Sequence, residues 1–108
     1  MNNRLEILRQ FVDEEPLDPF NHYALATESL KFDKTDSRLI FEYLVNNHAD
    51  YLATYYQLGA LYVELGEHLL AEDTYIAGIA LASKIGNEKT LKELKGAYQM
   101  FLEELEDN

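Results

Sequence analysis

The chain has 108 residues and a formal net charge of −11, from 20 acidic and 9 basic residues. That balance argues against nucleic acid and anionic membrane surfaces as partners, because like charges repel. Cysteine is absent, which excludes disulfides, thiol nucleophiles and zinc–thiolate sites, and no apolar run approaches the roughly 18 residues that a membrane-spanning helix needs.

Met1-Asn2-Asn3-Arg4 leads into an amphipathic segment rather than the apolar core of a signal peptide, so a cytoplasmic location is expected. Leu5, Leu8, Phe11 and Val12 form an apolar stripe and predict a helix over 2–14. Glu14-Glu15-Pro16 ends it, and Leu17-Asp18-Pro19 follows. A second helix is expected over 19–32, carrying Phe20, Tyr23 and Ala24, and a third over 36–48, carrying Phe41, Leu44 and Val45. In the fourth, over 51–65, Tyr55, Leu58, Gly59 and Tyr62 recur at three- and four-residue intervals and share one face. Glycine inside a helix costs about 1 kcal/mol against alanine, so Gly59 points to close approach by a neighbouring helix. Gly66 suits the turn that follows. Ala71 and Gly78 then give the fifth helix, over 68–85, a matching seam of small residues, and Gly86 ends it. Asn87 is an N-cap candidate for the last helix, over 88–105. There Leu91, Leu94, Tyr98, Phe101 and Leu105 step by 3, 4, 3 and 4. That seam spans fewer than the roughly three or four heptads of a coiled coil. The charged remainder of the helix suits a terminal cap.

Tyr55, two residues, Leu58-Gly59, two residues, Tyr62, then Ala71, three residues, Tyr75: this order resembles the tetratricopeptide repeat (TPR). A weaker copy precedes it. Phe20, Tyr23 and Ala24 lie 35 residues before Tyr55, Leu58 and Gly59, and Phe41, Leu44 and Val45 lie 34 before Tyr75, Gly78 and Ile79. Ala24 replaces the glycine and Thr27 the tyrosine of the better copy. Ser83 stands where the family usually has proline, so the fifth helix is free to run on to Ile85. The resemblance implies an all-α fold, an α-α superhelix (TPR-like solenoid) of about six antiparallel helices stacked as right-handed hairpins. It implies one domain over residues 1–108: a partial repeat over 1–16, repeats over 17–50 and 51–86, and a capping helix over 87–108.

The family's usual work is holding other proteins, so the resemblance implies a non-catalytic adaptor or scaffold. In the family a concave groove is lined by first-helix residues off the packing stripe. Those matching here are Asn21, Leu25, Glu28 and Ser29 in the weaker copy and Tyr56, Ala60, Val63 and Glu64 in the stronger one. Tyr56 either faces that groove or shields the end of the core. The lysines and arginines with which some family members clamp a terminal carboxylate are missing from these positions. No lysine or arginine occurs from Leu39 to Ser83, where Glu42, Asp50, Glu64, Glu67, Glu72 and Asp73 are the charged residues. This run is either a set of solvated helix faces or a surface selecting a segment that mixes apolar and basic residues. The second functional reading is a homo-oligomeric module that stacks through the exposed edge of the repeat array. His22, His48 and His68 form no ligand spacing, and the adjacent carboxylates Glu14-Glu15, Glu72-Asp73 and Glu103-Glu104 do not face one another on helices. No catalytic residue, metal or cofactor is therefore expected.

Overall fold

The computed structural model of the protein describes residues 3–107. Among them are six helices and no strand: α1 (Asn3–Glu14), α2 (Pro19–Ser29), α3 (Lys34–Asn47), α4 (Ala53–Glu64), α5 (His68–Ile85) and α6 (Glu88–Glu106). The expected start of the first helix at residue 2 lies outside the described residues. No helix among them is long and apolar enough to cross a membrane.

Local chemistry places the boundaries. Asp18, in extended conformation, accepts a hydrogen bond from the Phe20 amide, and Pro19 opens α2 with its φ already suited to a helix. α2 stops at Ser29, earlier than expected. The amides of Lys31 and Phe32 bond three residues back, to Glu28 and Ser29, and the chain tightens into a turn. α3 starts earlier than expected because Asp33 is the cap: its carboxylate accepts the Asp36 amide at 3.1 Å. Gly66 and Gly86 both have positive φ, which places the left-handed turn that glycine favours after α4 and α5. The amide that follows each of these glycines then reaches five residues back, Glu67 to Tyr62 and Asn87 to Ala82. α5 runs through Ser83 to Ile85, and Asn87 caps α6 by accepting the Thr90 amide at 3.0 Å.

The helices form two compact units that divide between Thr54 and Tyr55. In the first, α2 packs on both α1 and α3. Phe41 and Leu44 of α3 are fully buried, and Tyr23 meets Phe41 edge-on with ring centroids 6.1 Å apart. Ser37 takes the place 34 residues before Ala71, and both have no exposed surface. The Ser37 hydroxyl donates to the Ala26 carbonyl at 2.7 Å, so a small residue brings α3 close to α2 and its polar atom is satisfied there.

In the second unit the core is Tyr55, Leu58, Leu61, Tyr62, Ala71, Tyr75, Ala82, Leu94 and Phe101. A Cβ on Gly59 would lie 2.5 Å from the ring of Tyr75, and one on Gly78 would lie 2.6 Å from the Cβ of Tyr55 and 3.2 Å from Leu94. Both glycines sit where side chains of other helices touch the backbone. α6 packs on α5, with Phe101 near the rings of His68 and Tyr75 and the Tyr98 hydroxyl donating to Glu72 at 3.1 Å.

Candidate partner-binding surface

Along α4, Tyr56, Ala60, Val63 and Glu64 fall at i, i+4, i+7 and i+8, one side of the helix. The opposite stripe of Tyr55, Leu58, Leu61 and Tyr62 is at most 5% exposed, whereas Tyr56 is 43% exposed. Ala60 and Glu64 are exposed and Val63 is half-buried. Burial pushes the Tyr75 phenol above its usual range, and the neighbouring Tyr56 and Glu104 add to the effect.

The matching positions of α2 differ. Asn21 is half-buried and donates from Nδ2 to the carbonyls of Phe11 and Glu15, each at 3.3 Å, tying α2 to the end of α1. Leu25, Glu28 and Ser29 are buried. The Glu28 carboxylate accepts from Arg4 Nε and Lys31 Nζ, both at 3.1 Å. Ser29 Oγ donates to Asp36 at 3.0 Å, and Arg9 binds the same Asp36 oxygen at 3.0 Å. These three residues therefore pack and pair within the structure instead of facing solvent. Helical spacing identifies the packing stripe, but it does not show that cations from α1 and from the turn after α2 converge on Glu28.

Arg38 pairs locally in the same way, with Glu42 at 3.0 Å. In the second unit Glu64, Glu67 and Asp73 are exposed. His22 is buried, its Nε2 is 2.7 Å from the Pro16 carbonyl, and its ring lies 4.6 Å from that of Tyr43, a structural set of contacts. Among the described residues no three His, Cys, Asp or Glu side chains gather where they could hold a metal.

Ile7, Leu8, Phe11, Phe20 and Ala24 line a cavity of about 370 Å³ between α1 and α2. Phe20 is 58% exposed, although its counterpart Tyr55 is buried. Ile7 lies off the stripe read from the sequence, and its neighbour Leu8 takes the buried place.

Comparison with known proteins agrees with this architecture. No protein-family model matches the sequence, and a search of curated proteins finds no match. The solution NMR structure of a tetratricopeptide-repeat domain protein from Salinibacter ruber superposes with a TM-score of 0.76 at 44% identity, covering 81% of this chain and 89% of that one. The crystal structure of a tetratricopeptide-repeat domain protein from the same organism gives 0.75 at 44% identity, covering 78% and 96%. The crystal structure of MamA gives 0.65 at 21% identity, covering 95% of this chain and 67% of that one, a likeness of fold alone. Proteins of this fold are in general protein-interaction modules. With two helical hairpins built on small-residue seams and 44% identity across most of the Salinibacter domain, the chain belongs to the tetratricopeptide-repeat family.

Proposed function

We propose that the protein is a non-catalytic adaptor that holds a segment of another protein against the outward side of α4, through Tyr56, Ala60, Val63 and Glu64. The observation that carries this reading is Tyr56: a large aromatic, 43% exposed, on a helix whose packing stripe is already filled. Aromatic side chains with one face in solvent are frequent binding hot spots, since they offer large area at small entropic cost. The segment would combine apolar residues with lysine or arginine, because Glu64, Glu67 and Asp73 are exposed in a stretch without cations.

A random peptide library displayed on phage and panned against the protein tests this. Sequences mixing basic and apolar residues are expected to enrich. Tyr56→Ala is expected to weaken the enriched peptides at least about tenfold with helicity unchanged. Glu64→Lys is expected to slow association most at low salt, where charge steering is least screened. Enrichment of acidic peptides, or full affinity in the Tyr56→Ala protein, would overturn the reading.

A further inference from the structure

α1 carries two apolar side chains that the first unit leaves in solvent. Ile7 is 51% and Phe11 48% exposed, although Leu8 between them is buried. Phe20 of α2 lines the same cavity of about 370 Å³ and is 58% exposed. We propose that this patch is the contact surface for a second copy of the chain, in which two α1 helices lie antiparallel about a two-fold axis. It lies on α1 and α2 and does not rest on the α4 reading.

The choice of occupant comes from charge and spacing. Arg4, Ile7, Phe11 and Glu14 step by 3, 4 and 3 and so share one face of α1. A closed two-fold contact must be self-complementary: if residue i meets residue j of the copy, j must meet i. In an antiparallel pair centred between Ile7 and Phe11, each Ile7 meets the Phe11 of the other copy, and each Arg4 meets the other Glu14. A parallel pair would instead oppose Arg4 to Arg4 and Glu14 to Glu14. The Arg4 side chain is 69% exposed while it pairs with Glu28, and Glu14 is exposed. The Phe11 ring of one copy then sits over the cavity beside Phe20 of the other. The side of α6 through Lys92, Lys95, Gln99 and Glu103 is polar and exposed, with Met100 beside it, so that side offers the patch fewer apolar contacts than a second copy of the patch does.

The contact is smaller than the roughly 800 Å² per partner of a standard interface, and a dissociation constant on the order of 10–100 μM is expected. Sedimentation equilibrium of the 108-residue protein, loaded from about 5 to about 500 μM to bracket that range, should show a reversible rise from the 12.5 kDa monomer to twice that mass. Phe11→Asp should raise the dissociation constant at least about tenfold with circular dichroism unchanged. Glu14→Arg, at an exposed position that leaves the core intact, should weaken the dimer most at low salt. Tyr56→Ala should leave the dimer as it was, which separates this surface from the one on α4. In the cysteine-free chain, mixed Ile7→Cys and Phe11→Cys proteins should oxidise mainly to the 7–11 cross-link. A monomer throughout the concentration range overturns the proposal. So does a dimer indifferent to both Phe11→Asp and Glu14→Arg, or one cross-linked mainly 7 to 7.

Discussion

Gly59 and Gly96 are both helical glycines, and a Cβ would meet opposite surroundings at the two. At Gly59 it would lie 2.5 Å from the buried ring of Tyr75; at Gly96 nothing lies within 4 Å. Replacing a helical glycine with alanine gains about 1 kcal/mol in propensity, and overpacking costs typically about 1–3 kcal/mol. Gly96→Ala is therefore expected to raise the melting temperature by a few degrees and Gly59→Ala to lower it. Thermal denaturation followed at 222 nm checks both, and equal shifts would mean that Gly59 is not at a helix contact. Thr54 gives a second residue-scale test. Its hydroxyl is fully buried and has no hydrogen-bond partner, so desolvation of the hydroxyl is uncompensated. Thr54→Val keeps the shape and removes the polar atom; a gain of up to about 1 kcal/mol is expected in urea unfolding. A clear loss would reveal a partner for the hydroxyl, such as a buried water.

Among the elements, α6 has the clearest division of labour. Its buried side supplies Leu94 and Phe101 to the second unit, and its other side is exposed and mostly polar, with Met100 the apolar exception. Phe101→Ala is expected to cost about 3–5 kcal/mol in denaturant unfolding, as cavity creation in a core does. Removal of residues 88–108 would uncover Tyr75 and Gly78 of α5, and loss of cooperative unfolding or aggregation is expected. A truncated protein as stable as the parent would show that α6 is an appendage. α1 differs in kind. Only Leu8 of its apolar residues is buried, and ion pairs from Arg4 to Glu28 and from Arg9 to Asp36 help to hold it. A pair as exposed as Arg9–Asp36 contributes about 0–1 kcal/mol, and with a single buried apolar residue α1 depends on weaker contacts than α6, which buries Leu94 and Phe101.

For the whole molecule, the tyrosines set a limit at alkaline pH. Burial raises the phenols of Tyr51 and Tyr75, and Tyr98 is raised by desolvation and by its hydrogen bond to Glu72. A phenol with a raised folded pKa keeps its proton after the unfolded chain has lost one, so folding stability falls with pH in that interval. Stability is expected to hold up to about pH 10 and to fall above it; melting temperatures from pH 7 to 11 check this, and Tyr75→Phe should soften the fall. The proposal that all 108 residues act as one domain predicts a single calorimetric transition, and two transitions would overturn it. Much of the fold was legible beforehand, because it depends on short-range rules. Gly66, Gly86 and Asn87 cap or end helices through their own backbone and side-chain chemistry. Gly59 and Gly78 mark a seam because only glycine leaves room there. The two-unit burial pattern was not legible. Periodicity tells which residues share a helix face, but a second face is buried or left open according to which neighbours the chain brings to it. Glu28 is drawn inward because Arg4 and Lys31 converge on it from outside α2. Phe20 remains in solvent although Tyr55, at the same place in the repeat, is packed against Gly78. Local sequence thus determined where helices start, stop and touch, while tertiary packing alone decided which of the remaining faces a partner can reach.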